Sequence, residues 1–561
     1  MKTKTLNTTV AAACCALLAL SCANNSQVTS ANAPLTTPGN PYMPLWEHIP
    51  DGEPYVFEDP DQPGKQRVYV YGSHDDLITE YCGRNQVVWS ASVDSLNNWR
   101  YDGTILVVDK NGKGEAFDSA GTADVLYAPD VTLVTDKDGK KTYYLFPNDQ
   151  AGMRNGLIAK SDRPDGPFEV CNWNADDPNK TDGVLQFDPA VFVDDDGRVY
   201  GYWGFERSMA AEFDPTTMAT VKPGTKVVED MISGRYQEGR FKFFEASSIR
   251  KIKDKYIFIY SRFTEDGEFG LPTSNYTLAY AYSDAPLGPW TYGGTIIDGR
   301  GREKDAEGNV IASAVPDGNT HGSICEINGR WWVFYHRHTG LDEYARQAMV
   351  APIDVKVEEG PGGKVEISEG EFNSEGFSTN GLNPLERHSA GIACWLTGPK
   401  PAVHNWPNNT FYGSYVASQY GGEPGMSKTA ALAWKPKYDA PYDLRYNYND
   451  VVNNTAGSIV GYKYFNFDAM QGHKDAELSV TLTPMGINGT IEVWADRPWA
   501  TQGGKMIGKI ELTPDLGMMR KELTTKVDTE TLSGKHAIFF VFKSAAMNRS
   551  ICTLHDFVFS Y

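Results

Sequence analysis

The sequence predicts an all-β protein, a five-bladed β-propeller followed by a β-sandwich of the jelly-roll kind. Three observations carry this. Strand-like runs dominate, and sustained helical periodicity is almost absent. One aromatic run recurs five times in the first 350 residues. Beyond a Gly- and acid-rich stretch, a second series of alternating strands begins.

The chain opens "MKTKTLNTTVAAACCALLALSCANNS". Lys2 and Lys4 precede an apolar run, Val10 to Leu20, of the length of an export signal and too short to span a bilayer. Leu20-Ser21-Cys22 resembles a bacterial lipoprotein cleavage site. The expectation is removal of residues 1–21 and lipidation of Cys22, which anchors an exported protein to a membrane facing the periplasm or at the cell surface. Residues 22–40 read as a polar tether. The formal charge of −20 argues against nucleic acid and against polyanionic substrates. Eight cysteines include Cys14 and Cys15 in the leader and Cys22 directly after it. The remaining five (Cys82, Cys171, Cys325, Cys394 and Cys552) are odd in number and widely spaced, so they supply neither a disulfide framework nor zinc spacing.

The blades are read from residues 41–356. The runs "QRVYVYGSHD", "KKTYYLFPND", "GRVYGYWGFE", "DKYIFIYSRF" and "GRWWVFYHRH" begin at residues 66, 140, 197, 254 and 329. Each follows a Gly, Asp or Lys turn, holds five to seven β-branched or aromatic residues, and ends in polar groups. A second element also repeats: "NNWRYDGTIL" (97–106) matches "GPWTYGGTII" (288–297). Five strand-rich units of one plan fit five blades. A pair of β-sandwiches gives no reason for such repeats.

Ahead of these runs, polar residues recur at one position. Asp51, Asp130, Asp188, Glu245 and His321 each lead a short apolar strand, then a turn, then the aromatic strand. In a propeller the leading ends of the first strands converge on one mouth of the central channel. Three carboxylates there suit glycoside hydrolysis, which uses a general acid of raised pKa and a second, ionised carboxylate. Phe243, Phe244 and Ala246 give Glu245 an apolar setting, which raises its pKa. A glycan-binding propeller without catalysis needs no such acid. A sialidase-like propeller would want a Tyr nucleophile and an arginine cluster.

Residues 42 to about 355 resemble glycoside hydrolase family 43. "IPDGEP" looks like the loop of the family's general base, "FDPAVFVDDDGRVYGYWG" like the strand of its pKa modulator, and "FEASSIRKI" like the strand of its general acid. The resemblance therefore implies Asp51 as base, Asp188 as modulator and Glu245 as acid. This chain has Ala246-Ser247 where the family has Gly-Pro. "YAPDV" implies Asp130 as a substrate-pocket residue. "NTHGSI" supplies the family's central histidine, His321, near a water or a metal. Arg346 resembles an arginine that reaches into the pocket. Trp89, Phe205 and Tyr276 are candidates for stacking on sugar. The family implies an inverting, exo-acting hydrolase of terminal α-L-arabinofuranosyl or β-D-xylosyl groups on oligo- or polysaccharides, with endo-arabinanase as the alternative. It implies no required cofactor and admits a calcium ion in the channel.

Residues 357–384, rich in Gly and acids, read as a linker. Residues 385–561 alternate again, with Gly-Asn-type turns, as a β-sandwich does. From about 457 onward they resemble a family 6 carbohydrate-binding module, most clearly in Gly534-Lys535-His536-Ala537-Ile538-Phe539 and Asp556-Phe557-Val558-Phe559. Where such modules carry a Trp, this chain has Met518 and Met519. Trp406, Trp494 and Trp499 remain as ring faces.

Overall fold

The computed structural model describes residues 39–75, 81–83, 85–107, 125–149, 156–177, 180–339, 341, 343–405, 408–417 and 449–561. Cys22, the leader, most of the tether and Trp406 lie outside the described residues. The described elements are strands and short 3-10 turns, so the chain is all-β.

The first part forms five main antiparallel sheets in chain order, with a small hairpin of Arg302–Lys304 and Val310–Ala312 between the fourth and fifth. The first holds Glu53–Glu58, Gln66–Tyr71, Asn85–Ser92 and Trp99–Val107. The second holds Leu126–Thr135, Lys141–Asp149, Ala159–Ser161 and Glu169–Val170. The third runs from Ala190–Val193 through Val199–Trp203 and Met209–Phe213 to Val228–Glu229. The fourth has Phe243–Ile252, Lys255–Arg262, Thr277–Ser283 and Thr291–Asp298. The fifth has Ser323–Ile327, Arg330–Arg337 and Gln347–Ile353. The aromatic runs are the second strands, and the turns that precede them set the hairpins. In Asp194-Asp195-Asp196-Gly197, Gly197 takes φ 80, a left-handed angle that glycine adopts without a Cβ clash, and its N–H returns to the Asp194 carbonyl.

Alternate residues on each strand face opposite neighbours. Each pair of consecutive sheets therefore buries its own core. Phe57, Tyr71, Leu145 and Val131 fill the space between sheets one and two, and Phe146, Val199 and Phe213 that between two and three. Tyr202, Phe243 and Phe258 lie between three and four, and Ile259, Leu278, Val333 and Met349 between four and five. A fifth core, with Val70 and Trp89 against Phe334 and Val350, joins sheet five to sheet one. The first strands of neighbouring sheets likewise lie side by side, and that of sheet five returns to that of sheet one. All five first strands thus face a common centre.

The stretch predicted as a linker is packed. Val355–Val357 pairs with Val365–Ile367, and Phe372 enters the core between sheets four and five. Leu382 already belongs to the next core. That core lies between two further sheets. One centres on Cys552–Ser560 and Glu477–Pro484, the other on Ile459–Asn466, Lys535–Lys543 and Gly489–Ala495. Val480, Leu554 and Phe557 from the first meet Val460, Ile491, Phe540 and Phe542 from the second.

Candidate active site

The segment leading to Asp51 is fixed before it reaches the site. Tyr42, Met43, Trp46 and Ile49 are buried between sheets five and one. Asp51 then turns the chain into Glu53–Glu58 with φ 61, an angle unfavourable to residues with a Cβ. Such strain persists where the surroundings over-determine it, and here they do. Arg346 Nη1 donates to both Asp51 oxygens at 3.0 and 3.3 Å, and Ser73 Oγ donates to Oδ2 at 2.6 Å. The Asp51 N–H donates to Nδ1 of His336 at 3.2 Å. Arg346 is held from behind by Asp75, which accepts from Nε at 3.0 Å and from Nη2 at 2.9 Å. Asp75 is fully buried and also accepts the Cys82 N–H.

Asp188 repeats the geometry two residues ahead of Ala190–Val193, with φ 48. Its Oδ1 accepts from Asn148 at 3.2 Å and its Oδ2 from the Ala246 N–H at 2.9 Å. Burial and the negative charge of Asp51 push its carboxyl up to about 7. Glu245 is the third residue of Phe243–Ile252, where the pairing register slips on both sides of it. A bulge of this kind re-aims a side chain. The Glu245 carboxyl makes no hydrogen bond or ion pair with any described residue. Burial raises its pKa well above the carboxylate range, and the charges of Asp188 and Asp51 add to that, against the pull of Arg346. Ala246, in the place of the family's glycine, sits at φ 67, and from there its N–H reaches Asp188. The alanine holds this left-handed angle at some strain.

His321 lies two residues ahead of Ser323–Ile327. Nδ1 is 3.6 Å from Asp188 Oδ2, and Nε2 is 4.0 Å from Glu53 Oε1. Among the described residues, both ring nitrogens and Glu53 Oε1 lack a hydrogen-bond partner. Burial lowers the imidazole to about 4 and raises Glu53 to about 7, the latter against the Arg250 charge. Arg250 closes the centre beneath, bonding Glu53 at 2.7 Å, the Tyr55 hydroxyl at 3.1 Å and the Ile324 carbonyl at 3.1 Å. Among the described residues no group of three or more His, Cys, Asp or Glu forms a metal cage.

Asp51, Asp188, Glu245, His321 and Arg346 are therefore brought together. Three other expectations are corrected. Asp130 is spent below the mouth: Tyr55 donates to it at 2.5 Å, and the Val131 and Val191 amides donate at 2.8 and 2.7 Å. It ties the first strands of sheets one, two and three together and is only 1% exposed. Trp89 is 0% exposed, wedged against Trp46 and Tyr101 with its N–H on Glu47. Tyr276 is also 0% exposed, and its hydroxyl accepts the His338 N–H at 3.0 Å. Neither ring can meet a ligand.

Phe205 is different. It is 47% exposed and belongs to a row of rings in which Phe187, Phe205, Phe244 and Phe263 follow at 4.8, 4.9 and 4.8 Å. Arg235 lies 3.6 Å over Phe263, beside Tyr236, which is 76% exposed. Phe187 and Phe244 immediately precede Asp188 and Glu245. The sequence reading missed Ser73, Asp75 and His336, the support of Asp51. Their signal was the polar tail of each aromatic run, "YGSHD" and "FYHRH". It also missed Glu343, a buried carboxylate that accepts from Tyr81 and adds to the field on Glu245.

The sequence profile of Glycosyl hydrolases family 43 matches residues 59–361, beginning eight residues after Asp51. A xylosidase/arabinosidase of Thermoclostridium stercorarium is 30% identical over 532 residues, 90% of this chain and 96% of that protein. An arabinoxylan arabinofuranohydrolase of Paenibacillus polymyxa is 28% identical over 66% of this chain and 58% of its own length. Xylosidase/arabinosidase 43A of Humicola insolens is 29% identical over 48% of this chain and 84% of its own. With more than half of its length matching the family profile and a relative that parallels nearly all of it, this chain belongs to glycoside hydrolase family 43 and is a glycosidase.

Proposed function

We propose that this enzyme removes terminal pentoses, α-L-arabinofuranosyl or β-D-xylosyl, from plant cell-wall polysaccharides or their oligosaccharides, with inversion. The observation that carries the reading is a contrast between two carboxyl groups. Asp51 accepts hydrogen bonds on both oxygens from Arg346 and Ser73. Glu245 has no such donor among the described residues, is half-buried beside apolar rings, and feels the charges of Asp188 and Asp51. One is set as a proton acceptor and the other as a proton donor. The relatives' names, xylosidase/arabinosidase and arabinoxylan arabinofuranohydrolase, support the choice of sugar.

In the proposed reaction Asp51 takes a proton from a water molecule, which attacks the anomeric carbon. Glu245 gives its proton to the leaving oxygen on the opposite side of the ring. The bond to the aglycone breaks as the bond to water forms, so the configuration inverts. This needs the two carboxyl groups roughly 6.5–9.5 Å apart, to leave room for the water. Asp188 keeps Glu245 protonated near neutral pH and, through the Ala246 amide, fixes the backbone beside it. Arg346 holds Asp51 in place. The ring row that exposes Phe205 receives the leaving sugar chain.

The five sheets are read as the blades of a propeller (residues 41–356), and the two C-terminal sheets as a sandwich (385–561) of the family 6 carbohydrate-binding kind. Met518 and Met519 are 61% and 78% exposed where an aromatic platform would serve sugar, so packing against the catalytic part is its first role. Cys22 is proposed as a lipid anchor that holds the enzyme at a bacterial membrane. A channel calcium ion would fit here only in hydrated form, since Glu53 Oε1 is one open oxygen where calcium takes about six to eight, and His321 would meet it through water. It would supply positive charge beneath Asp188.

The test is a panel of aryl α-L-arabinofuranosides and aryl β-D-xylosides with the full chain and with Asp51→Asn. Turnover of at least one pentoside, abolished in the variant, is expected. No turnover of any pentoside, or an active Asp51→Asn, overturns the reading.

A further inference from the structure

We infer that the C-terminal part is built into the machinery that positions Asp51, through Arg337 and Gln347 as positioning residues for His336 and Arg346. This rests on the proposed role of Asp51 as base.

The two strands that end at the site, Arg330–Arg337 and Gln347–Ile353, pair with Arg337 opposite Gln347. Consecutive side chains on a strand leave by opposite faces. His336 faces the channel and takes the Asp51 N–H, so Arg337 faces away. Arg346 bonds the Asp51 carboxylate, and Gln347 follows it on the other face. His336 and Arg346, two of the three residues that bond Asp51, therefore each have a neighbour that faces the C-terminal part, and those two neighbours are bonded to each other. Gln347 Oε1 accepts from Arg337 Nε at 3.1 Å and from Nη2 at 2.8 Å.

From there both reach the C-terminal part. Arg337 Nη1 donates to the Ala393 carbonyl at 2.8 Å, and Nη2 donates to the Gly391 carbonyl. Gln347 Nε2 donates to Asn449 Oδ1 at 2.9 Å and to the Leu45 carbonyl at 2.7 Å. Leu45 stands six residues before Asp51, yet its side chain lies in the C-terminal core with Ile392 and Val451. The joint has no slack, because a Cβ on Gly391 would come 2.6 Å from the Asn449 Cβ.

The Arg337 guanidinium is 3% exposed and makes no ion pair among the described residues. All its hydrogen bonds go to neutral oxygens. Adhesion alone is served better by apolar contact, whereas a fully satisfied buried polar network specifies one arrangement. Here the arrangement it specifies ends on both sides of Asp51.

The test uses the full chain with Arg337→Met and Asn449→Ala, the latter distant from substrate. Tm, kcat and KM are read on an aryl pentoside and on an oligosaccharide. The expected result, measured well below Tm, is a kcat loss of about tenfold or more for Arg337→Met and about threefold for Asn449→Ala, with KM within about twofold, since small displacements of a reacting group are felt in kcat. The loss is the same for both leaving groups, because the water side is affected, and Arg337→Lys recovers part of it. Both variants with kcat near wild type and only Tm lowered would overturn the inference. If Arg337→Met fails to fold, Asn449→Ala decides alone. An active Asp51→Asn would instead refute the base assignment, while an inactive Asp51→Asn beside unaffected Asn449→Ala refutes only the positioning role.

Discussion

Asp188→Asn removes one charge and leaves the shape. The new Oδ1 can keep the Ala246 N–H. The new amide then faces Asn148, whose own Oδ1 has no partner, so a flip of Asn148 supplies an acceptor. What changes is the field on Glu245, where Asp188 is the largest raising influence after burial. At the roughly 4–6 Å over which neighbouring charges shift a carboxyl, and an effective dielectric near 20, a unit charge acts with about 3–4 kcal/mol, or about two to three pH units. Solvent at the open mouth reduces this to about one to two units. The sign follows from the acid's role. Glu245 works while protonated, and its raised pKa holds the proton as pH rises. Without the neighbouring charge the proton leaves earlier. The alkaline limb of kcat/KM on a substrate with a poor leaving group therefore moves down by about one to two units, with the rate on its acid side largely retained. The assay is that profile from about pH 4 to about pH 9, bracketing the carboxylate and imidazole ranges. A limb that stays in place or moves up would refute the modulator role.

Glu245→Gln is expected to lower kcat on oligosaccharides by about 10²–10⁴-fold, while aryl glycosides with good leaving groups lose far less; equal losses would remove the acid assignment. Arg346→Met leaves Asp51 and Asp75 buried without their cation, a destabilisation of about 3–5 kcal/mol in urea unfolding, and adding Asp75→Asn should recover part of it. Phe205→Ala should raise KM for oligosaccharides by about tenfold, the value of one ring contact, with kcat on aryl pentosides unchanged. At Ala246 a glycine relieves about 1–2 kcal/mol of left-handed strain but loses a buried methyl and adds chain entropy, so thermal stability should change little, whereas Ala246→Val should destabilise strongly.

The positions of Asp51, Asp188 and His321 were legible because a repeat fixes where each strand begins. All three stand two residues ahead of a first strand, in sheets one, three and five. Glu245 was legible from its apolar neighbours. What the repeat does not encode is which way a ring faces. Trp89 lies on a strand, and Tyr276 immediately ahead of one, where both faces pack against protein, so the same residue types fill cores and line pockets. Asp130 was placed correctly along the chain, but its partners Tyr55 and Val191 come from neighbouring sheets, 75 and 61 residues away. Asp75 and Arg346 meet across 271 residues. Gln347 and Asn449 meet across a boundary that composition marked as a linker. Such pairings are set by topology, and one sequence carries no local trace of them.

The most direct test of the central claim is the configuration of the first sugar released. Proton NMR of the hydrolysis of an aryl pentoside, followed before mutarotation, reads it at once. A water activated by Asp51 opposite Glu245 predicts that the first-formed pentose has the anomeric configuration opposite to that of the substrate. A first product with the configuration of the substrate would mean that a carboxylate attacks the sugar itself, and would contradict the account.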